Sequence, residues 1–147
     1  MNTVAFIVPC FNASKNIQNI IDSLFAQKNK NWICIFADDI STDNTWDVLQ
    51  EVEKTDKRIF ISKNETKFFA LRSIVEKARM YQGAEVIIAV IDGDDSLCNE
   101  DTVDILIKEY NAGHDVVWTA HKWDINGMNI SKEMPQNVDP YAWPWAS

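Results

Sequence analysis

Apolar residues along this chain fall into short continuous runs separated by stretches of helical period. The runs are VAFIVP (4–9), WICIFA (32–37), RIFIS (58–62), EVIIAVI (85–91) and DVVWTA (115–120). Their continuity, more than any alternation, predicts strands covered on both faces. Between them Ile17, Ile20, Ile21, Leu24 and Phe25 recur at helical spacing, as do Leu71, Ile74, Val75 and Ala78. Val103, Leu106, Ile107 and Tyr110 repeat that spacing. A shorter helix carries Trp46, Leu49 and Val52, with Ser41 or Thr42 as its expected cap and Asp43 in its first turn.

Strand and helix thus alternate as in successive βαβ units, which predicts an α/β fold with a mainly parallel, doubly wound sheet flanked by helices. Ligands of such sheets bind outside the carboxyl ends of the strands. The polar clusters sit there: PCFN after the first run, DDISTDNT after the second, KNETKFFALR after the third and DGDDS after the fourth. Beyond residue 121 the helical period stops, and three of the six tryptophans and three of the four prolines crowd into the remainder. The division expected is a core over 1–121 and, over 122–147, an incomplete hairpin or loop segment with Asn126-Gly127 at its corner. The C-terminal part reads as truncated.

Composition sharpens this picture. With 46% hydrophobic and 24% charged residues in 147, the chain is globular and long enough for one core. A net charge of −8 without a basic cluster argues against nucleic acid as a partner. Cys10, Cys34 and Cys98 are too far apart in sequence for a zinc or disulfide framework; Cys10 and Cys34 read as buried thiols. No leader and no transmembrane run are visible, so a reduced, cytoplasmic setting is expected.

Asp92, Asp94 and Asp95 crowd around Gly93 at the end of the fourth run. One reading is a solvated Asp-Gly turn; the other is a divalent-cation site of oxygen ligands, suited to Mg²⁺ or Mn²⁺. An EF-hand is excluded: counted from Asp92, position six is Leu97 and position twelve Val103. Asp38 and Asp39 form a second acidic pair, expected to face one shared pocket with the first. The four glycines supply neither GxGxxG nor a P-loop, so any nucleotide would be held by side chains and metal.

Taken in order, these pieces resemble the N-terminal half of a family 2 glycosyltransferase with the GT-A fold, over roughly residues 3–121. VAFIVPCFNASKNIQNIIDSLFAQ is similar to the family's opening strand, Pro-x-x-Asn turn and first helix. WICIFADDISTDNT resembles its Asp-Asp-Gly-Ser-x-Asp-x-Thr segment, with Ile40 replacing glycine. NETKFFALRSIVEKA resembles the Asn-x-Gly to Ala-Arg-Asn segment, with Thr66 and Ser73 as departures, and IAVIDGDD resembles the Asp-x-Asp motif.

The resemblance implies a metal-dependent, inverting transfer from a nucleotide-sugar donor, a UDP-sugar most often, to a glycan, lipid or protein acceptor. Carried over, Pro9, Phe11 and Asn12 line base and ribose, and Asp39 accepts a hydrogen bond from the base. Arg72 lies beside base or phosphates, Asp92 meets the ribose or a metal-bound water, and Asp94 ligates Mn²⁺ or Mg²⁺, with Asp92 as a second candidate ligand. The base that activates the acceptor belongs to the family's second half; Asp124 is the candidate here, ahead of Asp139. Two other readings stand beside this one: a nucleotide-sugar-binding module, truncated domain or partner subunit without turnover, and a receiver-like phosphotransfer domain using Lys122; a homo-oligomer is a further expected partner.

Overall fold

The computed structural model describes residues 2–117. Among the described residues four strands, β1 (Thr3–Cys10), β2 (Trp32–Asp38), β3 (Ile59–Lys63) and β4 (Val86–Val90), alternate with α1 (Ile17–Phe25), α2 (Thr45–Glu53), α3 (Phe69–Arg79) and α4 (Thr102–Asn111). Every strand pairing is parallel, in the order β3-β2-β1-β4, with Phe6 opposite Cys34 on one side and Ala89 on the other. Met1–Asp115 form one compact unit; of the second, beginning at Val116, only Val116 and Val117 are described.

This order disposes of the receiver-like alternative. A flavodoxin-like sheet runs 2-1-3-4-5 and sets β1 between β2 and β3, whereas here β3 pairs with β2. The doubly wound switch point lies between β1 and β4, the crevice in which such sheets bind ligands.

Alternation along β1 builds two layers. Val4, Phe6 and Val8 pack with Cys34 and Phe36 against Ile17, Ile20 and Leu24 of α1, Leu49 of α2 and Val103 of α4. Fully burying one such leucine contributes about 1.5–3 kcal/mol, so this layer is the main store of stability. On the opposite face Ala5, Ile7 and Ile35 meet Ile74 and Ala78 of α3.

That second layer is thin, and here the structure departs from the expectation of strands covered on both faces. β1 and β2 are buried almost throughout, but Phe60 of β3 and Ile88 and Val90 of β4 are exposed. They lie on outer strands of the described sheet, beside a single helix. Within α3 only part of the expected stripe packs: Leu71 and Val75 are exposed. Asp115–Val117 form no strand, and the rest of the fifth apolar run, the Asn126-Gly127 corner, Lys122, Asp124 and Asp139 lie outside the described residues.

Candidate active site

The carboxyl end of β1 is the centre of the rim. Beyond Cys10 the chain turns through Phe11 and Asn12, and Asn12 adopts a positive φ of 53°, a region that asparagine tolerates well. Its side-chain oxygen is turned to the β2–α2 loop. Asn12 Oδ1 accepts from the backbone of Thr42 (2.8 Å) and Asp43 (3.3 Å), while its own N–H donates to Ser41 Oγ (2.9 Å). Ala13 N–H donates to Thr45 Oγ1, and Ser14 Oγ to Asp43 Oδ2. The residues expected to cap α2 therefore stitch the β2–α2 loop to the β1 turn. Ser41 and Thr42 are not its caps; Asn44 stands at that position without a side-chain bond, and Asp43 accepts from Thr45 N–H just ahead of it.

Asp43 pays electrostatically for this work with an altered titration. The Thr45 hydroxyl, opposed by some burial and aided by Ser14, lowers its pKa from 3.8 to about 2. A folded-state pKa below the unfolded one stabilises the fold at pH above about 3.8, and that stabilisation is lost as pH falls through about 2. Thermal unfolding compared at pH 5 and pH 2 should show a smaller acid loss in Asp43→Asn than in wild type. An unchanged loss would mean that the loop junction is not formed in solution.

Asp38 and Asp39 part company at the end of β2. Asp38 is buried and turns to its own loop, where it accepts from Ser41 N–H at 3.3 Å, so the pair does not face one pocket. Asp39, only 4% exposed, reaches the other way. Its Oδ1 accepts from Phe68 N–H (2.7 Å) and Asn64 Nδ2 (2.9 Å), and its Oδ2 from Phe69 N–H (2.8 Å). Burial would raise its pKa, but these three donors and the Lys67 ammonium prevail and hold it below the usual carboxylate range.

Two successive N–H groups converging on one anion need a right-handed residue followed by a left-handed one, the arrangement of a backbone nest. Phe68 is right-handed and Phe69 has φ 60°, which gives the physical reason for an aromatic residue in strained backbone. Ile40, standing where the related motif has glycine, is strained likewise at φ 61°. Both strained residues flank Asp39 in its loops.

The loop after β4 lies across β1 from Asp39. A Cβ on Gly93 would come within 2.7 Å of Pro9 O and 3.6 Å of Cys10 Cα. Gly93 is absent from the residues with positive φ. The glycine is therefore required by close approach to β1, not by the turn geometry that Asp-Gly suggested. Buried Gln27 of the α1 end holds the far side of this loop, donating to Asn99 O (2.6 Å) and accepting from Val103 N–H (3.2 Å). Ser23 Oγ accepts from Leu97 N–H.

Asp92 and Asp94 are exposed on that loop. Among the described residues no group of three or more His, Cys, Asp or Glu could hold a metal by itself. Two exposed carboxylates are nevertheless the hard oxygen donors that Mg²⁺ or Mn²⁺ takes when substrate phosphate completes the shell. The donor chemistry fits such an ion in company with a diphosphate, not alone.

Between β1 and the β3–α3 loop opens a cleft of about 220 Å³, lined by Pro9, Cys10, Phe11, Asp39, Lys67, Phe69 and Ala70. Small-molecule sites commonly span about 300–1,000 Å³, so this volume suits one part of a ligand. Of the residues named from the sequence, Pro9, Phe11 and Asp39 line it. Asn12, Asp92 and Asp94 stand on the same rim outside the lining, and Arg72 is exposed and stacked on the Phe68 ring at 3.8 Å. Cys10 is buried, and burial pushes its thiol up to about 12, away from the thiolate form.

Lys67, Asn64 and Phe69 were not assigned a role from the sequence, and Ser73 stood out only as a departure from the related motif. Buried Ser73, where the related motif has asparagine, accepts from Asn64 Nδ2 at 2.9 Å and so supports the donor that Asp39 receives. Lys67 had a visible signal, as a basic residue in a rim loop of an acidic chain.

A model described as Glycosyl transferase family 2 matches residues 5–142. TuaG of Bacillus subtilis (strain 168), which its name gives as a teichuronic acid biosynthesis glycosyltransferase, is 37% identical over 95 residues, 63% of this chain. S. aureus TarS (residues 1–349) in complex with UDP-GlcNAc superposes with a TM-score of 0.61 at 22% identity over 75% of the chain. The mannosyltransferase PcManGT from Pyrobaculum calidifontis, in complex with GDP-Man and Mn²⁺, superposes with a TM-score of 0.60 at 18% identity over 70%. These two likenesses establish the fold. The chain spans 36% of TuaG and 31% of each of the two structures.

Proposed function

Because the chain belongs to glycosyl transferase family 2, we propose that it forms the donor-binding part of a metal-dependent, inverting transferase of UDP-sugars. The observation that carries this reading is the placing of two acidic groups about the β1 end. Asp39 stands on the β2 side with Phe11 in a cleft, and Asp92 and Asp94 stand on the β4 side at the switch point.

In this reading Phe11 stacks on the base and Asp39 accepts from its N–H, with Pro9 shaping the floor. Asn12 lines base and ribose beside Phe11 and also fixes the turn, its Oδ1 bonded to the β2–α2 loop. Arg72 lies outside the cleft lining, and its role is to meet phosphate from the rim. Asp94, with Asp92, would hold Mn²⁺ or Mg²⁺, which supplies positive charge to stabilise the departing diphosphate. That ion would also let a chain of net charge −8 receive an acidic nucleotide. Asp124, outside the described residues, is the proposed base for the acceptor hydroxyl. The free, buried thiols Cys10 and Cys34 fit a reducing compartment, the cytoplasm.

Calorimetry with UDP, with and without Mn²⁺, tests this reading. Wild type should bind UDP more tightly with the metal, and Asp94→Ala should lose at least about tenfold of that gain, the scale on which losing a charge-assisted contact acts. Both aspartates are exposed, so the variant should unfold like wild type. Metal-independent UDP binding, or none, would end the proposal. Turnover of a UDP-sugar would separate a transferase from a binding module.

A further inference from the structure

Lys67 stands where a nucleobase would have to go. Its ammonium lies 3.0 Å from the centroid of the Phe11 ring, donates to Asp39 O at 3.1 Å, and is 3.5 Å from Asp39 Oδ2. A stacked base needs that ring face free, since aromatic carbons in contact lie about 3.5–4 Å apart. It also needs an acceptor. Asp39 Oδ1 already receives two donors, and Oδ2 receives Phe69 N–H, which leaves one acceptor position, on Oδ2, the oxygen that Lys67 faces.

We propose that Lys67 is a built-in competitor of the nucleobase, covering the Phe11 face and standing over the remaining acceptor of Asp39 until the base displaces it. This rests on the reading of the cleft as a nucleotide site and goes beyond it by naming what regulates entry. The ammonium imitates the ligand: an N–H donor toward Asp39 laid upon an aromatic ring. The ligand able to replace it is a planar base carrying an N–H donor, as the imide of uracil does. The Lys67 side chain is 35% exposed on a flexible stem, so it can swing into water without disturbing the sheet. Asp39 keeps its three protein donors when that happens, and the acceptor position on Oδ2, 3.5 Å from the ammonium before it leaves, is uncovered for the base.

A ligand that binds only the open arrangement has its affinity reduced by the fraction of molecules that are open. Removing the competitor should therefore tighten binding of the base itself. In calorimetry, Lys67→Ala should bind uridine about tenfold more tightly than wild type, and UDP by a similar factor, if roughly one molecule in ten is open. Lys67→Gln, uncharged and still able to donate to Asp39, should fall between the two. Thermal unfolding of both variants verifies that each is folded.

Uridine bound no more tightly by the folded variants would overturn the inference while leaving the cleft as a nucleotide site. Weaker UDP binding with unchanged uridine binding would also overturn it, by putting Lys67 on phosphate. Absence of uridine and UDP binding in wild type and both variants alike would remove the nucleotide reading and this inference with it.

Discussion

Asp39→Ala is expected to destabilise the compact unit by about 3–5 kcal/mol, because it strips a buried acceptor from several donors at once. Phe68 N–H, Phe69 N–H and Asn64 Nδ2 all end on this carboxylate, and Lys67 lies beside it. Hydrogen bonds to a charged group contribute about 1.5–3 kcal/mol each, though their losses do not add fully. The nest of Phe68 and Phe69 would lose the anion that justifies a phenylalanine at φ 60°. The start of α3 would then relax, and with it the cleft wall made by Phe69 and Ala70. Asp39→Asn should cost less, about 2 kcal/mol, since one oxygen survives while the amide nitrogen meets a donor at the other position. Urea unfolding of both variants measures the difference. A cost under about 1 kcal/mol for alanine would show that the convergent bonds are not formed in solution.

How far the sequence could reach follows from which of these facts are local. β1, β2 and α1 were legible because continuous apolar runs and helical spacing are properties of the chain itself, and Ile17, Ile20, Ile21 and Leu24 are buried as that spacing requires. The same rule failed for Leu71 and Val75, which lie on the uncovered side of α3; burial depends on a neighbour, and periodicity names no neighbour. Asp39 was legible as an important carboxylate, but its donors come from residues 25 to 30 positions away, so its work in holding the β3–α3 loop was not. Phe69 gave no warning of positive φ, because nothing in the propensity of phenylalanine favours it. Lys67 is one of 14 lysines and arginines; its rim loop marks it in the sequence, but its place over Phe11 and beside Asp39 comes only with the fold.

Gly93→Ala is expected to cost about 1–3 kcal/mol and to abolish the metal-dependent part of UDP binding, a combination that no exposed carboxylate variant should produce. The added methyl would stand 2.7 Å from Pro9 O, closer than real Cβ atoms approach anything, and 3.6 Å from Ala13 Cβ. Pro9 cannot yield: it lies within β1, paired with Ala37 of β2 and next to the register of Ile7 with Val90. The loop must move instead, although Gln27 and Ser23 grip its far end at Asn99, Val103 and Leu97. Asp92 and Asp94 would be carried off with Gly93, away from the β1 end, while Phe11 and Asp39 stay in place. Uridine binding should therefore survive in Gly93→Ala, and the gain from Mn²⁺ should vanish. Asp94→Ala separates the two effects, losing the metal gain with stability unchanged. Because Gly93 needs no left-handed backbone, alanine is excluded by contact alone. Wild-type stability and a wild-type metal response in Gly93→Ala would mean that the loop after β4 does not rest on Pro9, and that the two acidic groups do not share one rim.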